Sequence, residues 1–384
     1  MPIRASRRSD VEPFHAMDVL AQANRLRALG HDVISMAVGQ PFGPAPSTVL
    51  AAAKAALANG RIGYTDALGT AALRDAISGH YRDHYGVDVP ASRIVVTTGS
   101  SAGFNLAFLA LFDPGDRVAI TSPGYPAYRN ILKALGIEVV EIDLAGEAYL
   151  TGDRLAQVHK ETPLVGVLFA SPANPTGAVI PRDALKTLIE TGQSLGISVI
   201  SDEIYHRLAY DAPDVTALNV SDDLVVINSF SKYYCMTGWR IGWMVVPEHL
   251  VRPIERIQQS LYISAPELSQ IAAAAAFDAT AELELVKAKY AEGRAMLSDR
   301  LPRLGLPLAA PMDGAFYAYC DVTRHTNDSM DFARRMIVEA HVAATPGLDF
   351  DVGQGRRFMR FSYAVDPAAL VEAMDRLENW IARR

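Results

Sequence analysis

Short runs rich in β-branched and apolar residues recur through the middle of the chain, at 94–97, 118–121, 138–142, 165–170, 198–201, 224–228 and 241–246. The first six are separated largely by segments of helical periodicity, such as 102–111, 128–135 and 182–195. Alternation of this kind predicts an α/β fold, with a seven-stranded, mostly parallel sheet between layers of helices. Residues 229–240 barely hold a crossover helix, which leaves the seventh strand free to run antiparallel.

Outside this stretch the texture differs. Helical spacing spans 16–29 and stops at Gly30, a short apolar run leads into Gly39-Gln40-Pro41, and helices are predicted at 47–58 and 70–85. After Val246 come helical patterns at 250–260, 265–276 and 281–303. A smaller α/β unit then carries strand-like runs at 315–320, 342–344 and 358–363, with helices at 330–340 and 367–381. The expected division is an N-terminal arm and helix, 1–40, packing with the small unit; a large domain, 41–285; and a small C-terminal α/β domain, 286–384.

Composition narrows the classes. The 384 residues carry 36 basic and 43 acidic side chains, net −7, which argues against nucleic-acid binding. No apolar run approaches the roughly 20 residues of a membrane-spanning helix. The basic start of the chain lacks the apolar core of a signal peptide, and residues 1–9 read as an exposed arm. Cys235 and Cys320 are too few for a disulfide framework and lack metal-ligand spacing, so a reducing, cytoplasmic setting is expected and no metal site.

In open parallel sheets, ligands bind beyond the carboxyl ends of the strands, so the residues after each run are the place to look for chemistry. Gly99-Ser100-Ser101 follows the first run and opens a helix, where backbone N–H groups can face an anion. Asn174 stands between two prolines after the fourth, and Asp202 and Tyr205 close the fifth. Ser229 and Lys232 follow the sixth, with Arg240 eight residues on. Lys232 alone among seven lysines comes directly after a buried-type strand. A lysine removed from water has a lowered pKa and can form a Schiff base. A carboxylate, an amide, a phenol, an amine, an arginine and an anion loop together match the needs of pyridoxal phosphate.

The ordered set Ser-Pro-Ala-Asn-Pro-Thr-Gly at 171–177, Ser-Asp-Glu-Ile-Tyr at 201–205, Ser-Phe-Ser-Lys at 229–232 and Met-Thr-Gly-Trp-Arg-Ile-Gly at 236–242 resembles the class I/II aminotransferases of pyridoxal-phosphate (PLP) fold type I. It is most similar to the aspartate/aromatic aminotransferase-like sub-group, from the loop at Val38 to Tyr363. The resemblance implies that an amino group passes from an L-amino acid to a 2-oxo acid in two half-reactions, with Lys232 as the Schiff-base lysine and proton carrier. It implies Asp202 at the pyridine nitrogen, Asn174 and Tyr205 at the ring hydroxyl, and Tyr125 stacked on the ring, with Tyr128 as the alternative. Arg240, Ser229 and the backbone at Ser100 and Ser101 would hold the phosphate, joined by Tyr64 from the neighbouring subunit of a homodimer with shared sites. Arg360 would clamp the substrate α-carboxylate, with Gly39 and Asn174 beside it.

Two departures bear on the substrate. Several aspartate-using members carry a lysine where this chain has Ser101, which puts dicarboxylate specificity in doubt and leaves neutral and aromatic donors open. Gln40 stands where many relatives have Glu. A carbon–sulfur lyase on the same scaffold is the alternative reading, since the cofactor and its lysine would be unchanged. A PLP-dependent transcription regulator is disfavoured, because the cofactor-fold motifs begin by residue 39.

Overall fold

The alternating runs pair into one central sheet. The structure, a computed structural model, describes residues 3–384 apart from Ala145 and Ala212. The strands are β1 (Ile94–Thr97), β2 (Arg117–Ser122), β3 (Glu138–Asp143), β4 (Gly166–Ala170), β5 (Ser198–Asp202), β6 (Val225–Ser229) and β7 (Gly242–Val245). They lie in the order β1-β7-β6-β5-β4-β2-β3. All neighbours are parallel except β7, which is antiparallel to both β1 and β6. The short 229–240 connection therefore does reverse the chain.

Successive side chains point to opposite faces, and each face has its own core. Val96, Ala119, Val167, Phe169, Val199 and Val226 pack on one side. Val95, Val118, Ile120, Leu168, Ile200 and Ile227 pack on the other. Because both faces are covered, β1, β6 and β7 are buried throughout, while edge strand β3 alternates and exposes its charged residues. The sheet thus has the two-layer covering its runs predicted.

The second unit is built on a three-stranded antiparallel sheet, with Phe358–Ser362 between Thr345–Pro346 and Tyr317–Asp321. Its register sets Arg360 opposite Tyr319, and Ser362 opposite Tyr317. The run at 342–344 does not join this sheet as a third strand. Val342–Ala343 instead pairs in parallel with Ile34–Ser35, which ties the chain before residue 40 to the C-terminal unit. Proline at 346 cannot donate a ladder hydrogen bond, in keeping with an edge position. The expected helix at 70–85 divides into Ala71–His80 and a π-turn at Tyr81–Tyr85. Residues 3–13 are exposed, as an arm would be, and Met1 and Pro2 lie outside the described residues. Both cysteines are buried and free. Among the described residues no helix is long and apolar enough to cross a membrane, and no cluster of His, Cys, Asp and Glu is placed to hold a metal ion.

Candidate active site

A cavity of about 270 Å³ opens at the carboxyl ends of β1, β2, β4, β5 and β6. Its wall includes Gly39, Ser100, Ser101, Tyr125, Asn174, Asp202, Tyr205, Lys232, Arg240 and Arg360. The strand ends, the loop at Gly39 and the strand Phe358–Ser362 of the second unit together join positions up to 321 apart in the chain, 39 to 360. Two of the sequence-predicted residues are elsewhere. Ser229 sits behind the wall, its hydroxyl within 2.9 Å of Ser231 Oγ and 3.1 Å of the Ile241 carbonyl, and Ser231 lines the cavity in its place. The reason is the turn that follows β6: the Ser229 hydroxyl accepts the Ser231 N–H at 3.1 Å and donates to the Ile241 carbonyl, which ties it to the backbone behind the wall. Tyr64 is 83% exposed and does not line this chain's own cavity. Its loop is held by Gly63 N–H donating to Glu267 and Thr65 N–H donating to Ser264.

Lys232 Nζ donates to the Gly39 carbonyl at 2.7 Å. Burial lowers its ammonium to about 8, helped by the charges of Arg360 and Arg240 and opposed by Asp202. Asp202, 2% exposed, accepts hydrogen bonds from the Tyr128 hydroxyl and the Ile204 amide. Burial raises its carboxyl to about 6, against the pull of those two donors and of Lys232. Tyr128 is thus a partner of Asp202, whereas Tyr125 faces the cavity edge-on to both Phe14 and Tyr128.

Ser100 and Ser101 open the helix Ser100–Leu111, whose first N–H groups have no intrahelical partners. Gly99 precedes them at φ +79°, and a Cβ there would come within 2.5 Å of Arg240 Nη2. Glycine therefore lets the guanidinium and the helix N-terminus converge, and both are suited to an anion.

Arg360 is 4% exposed, yet no carboxylate lies within ion-pairing distance of it among the described residues. It donates to Asn174 Oδ1 at 2.7 Å and to the Ala37 carbonyl at 2.6 Å, while its buried Nε has no partner. Tyr317 and Phe350 present their rings to it, 4.2 and 4.6 Å from the guanidinium carbon. A buried cation without an anion is costly, and the chemistry of such a site suits a carboxylate. Tyr317 was not legible as a site residue. Its hydroxyl lies 2.7 Å from that of Tyr205, and a Cβ on Gly39 would overlap it, so Gly39 is required for the fit. The one signal in the chain was the alternation of Tyr317 and Tyr319 along a strand.

The family model described as aminotransferase class I and II matches residues 31–377. The chain belongs to this family. The aminotransferase is 47% identical to the valine–pyruvate aminotransferase of Mycobacterium tuberculosis over 99% of both chains. It is 33% identical to the aspartate aminotransferase of Thermotoga maritima over 98% of each. Among solved structures, an aminotransferase from Mycobacterium tuberculosis superposes with a TM-score of 0.96, at 45% identity and 100% coverage of both chains. Thermus thermophilus aspartate aminotransferase with maleate gives 0.92, at 31% identity, covering 98% of this chain and 100% of that one. The aminotransferase accordingly has the fold of PLP fold type I and transfers amino groups; nothing among these relatives favours the lyase alternative. Members of the class generally use pyridoxal phosphate.

Proposed function

We propose that the cavity binds pyridoxal phosphate and transfers the amino group of an apolar L-amino acid, such as valine, to a small 2-oxo acid such as pyruvate. The donor set supports the cofactor. A buried amine of lowered pKa suits its carbonyl, a buried carboxylate suits its ring nitrogen, and a helix N-terminus facing an arginine suits its phosphate. When bound, it supplies an electron-withdrawing ring that accepts the electron pair released as the donor's Cα–H bond breaks.

The chain's own groups would divide the remaining work. Lys232 anchors the cofactor covalently and, once released, takes the Cα proton on Nζ as a free amine. Asp202 keeps a proton on the ring nitrogen, and Tyr128 and the Ile204 amide keep Asp202 oriented. Tyr205 and Asn174 hydrogen-bond the ring hydroxyl, and Tyr125 packs on the ring. Arg240, Ser231 and the N–H groups of Ser100 and Ser101 hold the phosphate, with Ser229 fixing Ser231. Arg360 grips the α-carboxylate beside Gly39 and Asn174. We further propose the three-part division 1–40, 41–285 and 286–384, and a cytoplasmic homodimer in which exposed Tyr64 completes the partner's phosphate site.

The observation that carries the donor class is the remainder of the wall: Phe14, Met17, Val38 and Ile204 are apolar, Gln40 and Thr237 are uncharged, and among the described residues of this chain its cations are Lys232, Arg240 and Arg360. A second carboxylate would be desolvated without a partner, at a cost of about 3 kcal/mol or roughly a hundredfold in affinity. With pyruvate as acceptor, kcat/KM for valine is therefore expected to exceed that for aspartate by about a hundredfold. Equal values for the two donors would overturn the apolar assignment. The 47% identity to a valine–pyruvate aminotransferase supports the same choice.

Arg360→Lys tests the carboxylate clamp. An ammonium cannot reproduce the planar two-pronged contact, so KM for every amino acid is expected to rise about a hundredfold while the bound-cofactor absorbance stays unchanged. Unaltered KM values would assign the α-carboxylate to another group.

A further inference from the structure

The helix His15–Ala28 begins at Phe14 with no side-chain cap of its own. Its cap comes from far along the chain. Asp349 Oδ1 accepts the His15 N–H and Oδ2 the Ala16 N–H, both at 2.8 Å. Asp349 is 2% exposed and, among the described residues, no basic side-chain nitrogen lies within ion-pairing distance of its carboxylate. The cap is therefore the chief compensation for burying this charge, strengthened by the positive end of the helix dipole.

The capped turn borders the site. Phe14, Ala16 and Met17 line the same cavity as Arg360. The neighbouring Phe350 presents its ring to Arg360, and its carbonyl accepts the Gly124 N–H, next to Tyr125. One short stretch, 349–350, thus references the N-terminal wall, the carboxylate-binding arginine and the Tyr125 loop to one another. We propose that Asp349 is a specificity-positioning residue, holding the Phe14–Met17 wall against the cavity so that a bulky apolar donor side chain is favoured over a small one. This rests on the transaminase reading, with Arg360 as the fixed end of the substrate.

The test uses Asp349→Ala and Asp349→Asn in the full-length protein. In the cofactor-free state, amide hydrogen exchange across 14–20 is expected to accelerate about tenfold in Asp349→Ala, the effect of losing a typical cap, with 100–111 and 225–232 unchanged. In cofactor-loaded protein with pyruvate as acceptor, the ratio of kcat/KM for valine over alanine is expected to fall about tenfold through KM for valine, while kcat for alanine stays within about twofold. The visible absorbance of the bound cofactor should not move. Asparagine keeps one acceptor oxygen, so Asp349→Asn should recover part of both effects, and it carries the test if the alanine variant does not fold. An unchanged valine/alanine ratio despite faster exchange would overturn the proposal, as would unchanged exchange. A wild-type protein that binds cofactor but turns over neither donor with pyruvate would overturn the proposed donor and acceptor, and with them the selectivity claim, whereas the exchange arm would still report on the cap.

Discussion

Lys232→Ala protein is expected to lose transamination by at least about 10⁴-fold, because the proposed role makes one side chain both the covalent anchor and the base at Cα. The visible absorbance of attached cofactor and its response to added amino acid should vanish together. Folding should not suffer. In the cofactor-free chain the amine is largely removed from water and its pKa lies near 8, depressed first by burial. The unfolded lysine keeps its proton up to an ordinary pKa near 10.5. Between these values the unfolded state binds more protons, so wild-type stability contributed by this group rises with pH from about 8. Lys232→Ala lacks that rise. The stability difference between variant and wild type should therefore be most in the variant's favour below pH 8 and shrink above it. Thermal unfolding of both cofactor-free proteins from pH 7 to 10.5 measures this, and persistent turnover in the variant would refute the assignment of Lys232.

Asp202→Asn is expected to lower kcat by about 10³-fold and weaken cofactor affinity, since a neutral amide cannot stabilise positive charge on the ring nitrogen. The amide oxygen would still accept the Ile204 N–H and the amide nitrogen would donate to the Tyr128 hydroxyl oxygen, so the local fold should persist. The pH dependence again has a defined sign. Burial raises the Asp202 carboxyl from 3.8 to about 6, so the folded cofactor-free state holds a proton that the unfolded state has already lost. Stability from this group falls as pH rises through that interval. The asparagine variant should therefore gain on wild type between pH 4 and 6 in cofactor-free melts. Activity within about tenfold of wild type would remove Asp202 from the role proposed for it.

Much of the site was readable because its residues follow strands. Each strand end places one or two side chains at the same edge of the sheet, so Asn174, Asp202, Tyr205, Lys232 and Arg240 could be named from local motifs alone. That Ser231 rather than Ser229 lines the cavity has a local cause. Two serines flank Phe230 in the motif, and the turn after β6 engages the hydroxyl of the first with the Ser231 N–H and the Ile241 carbonyl, leaving the second on the cavity wall. Tyr317 and Asp349 were beyond reach for a different reason. Neither stands in a recognisable motif, and their partners are distant in the chain, Tyr205 112 positions from Tyr317 and His15 334 positions from Asp349.

The sequence by itself determined the sheet, its covering helices, the family and the cofactor-type donor set, because hydrophobic period and short motifs act within a few residues. Tertiary structure alone decided how the two ends of the chain meet over those strand ends. Ile34–Ser35 pairs with Val342–Ala343, Asp349 caps the helix at His15, and Gly39 makes room for the Tyr317 hydroxyl. The strand pairing uses backbone N–H and C=O groups that every residue but proline carries, and the cap and the glycine contact join residues far apart in the chain, so no local motif marks them in advance.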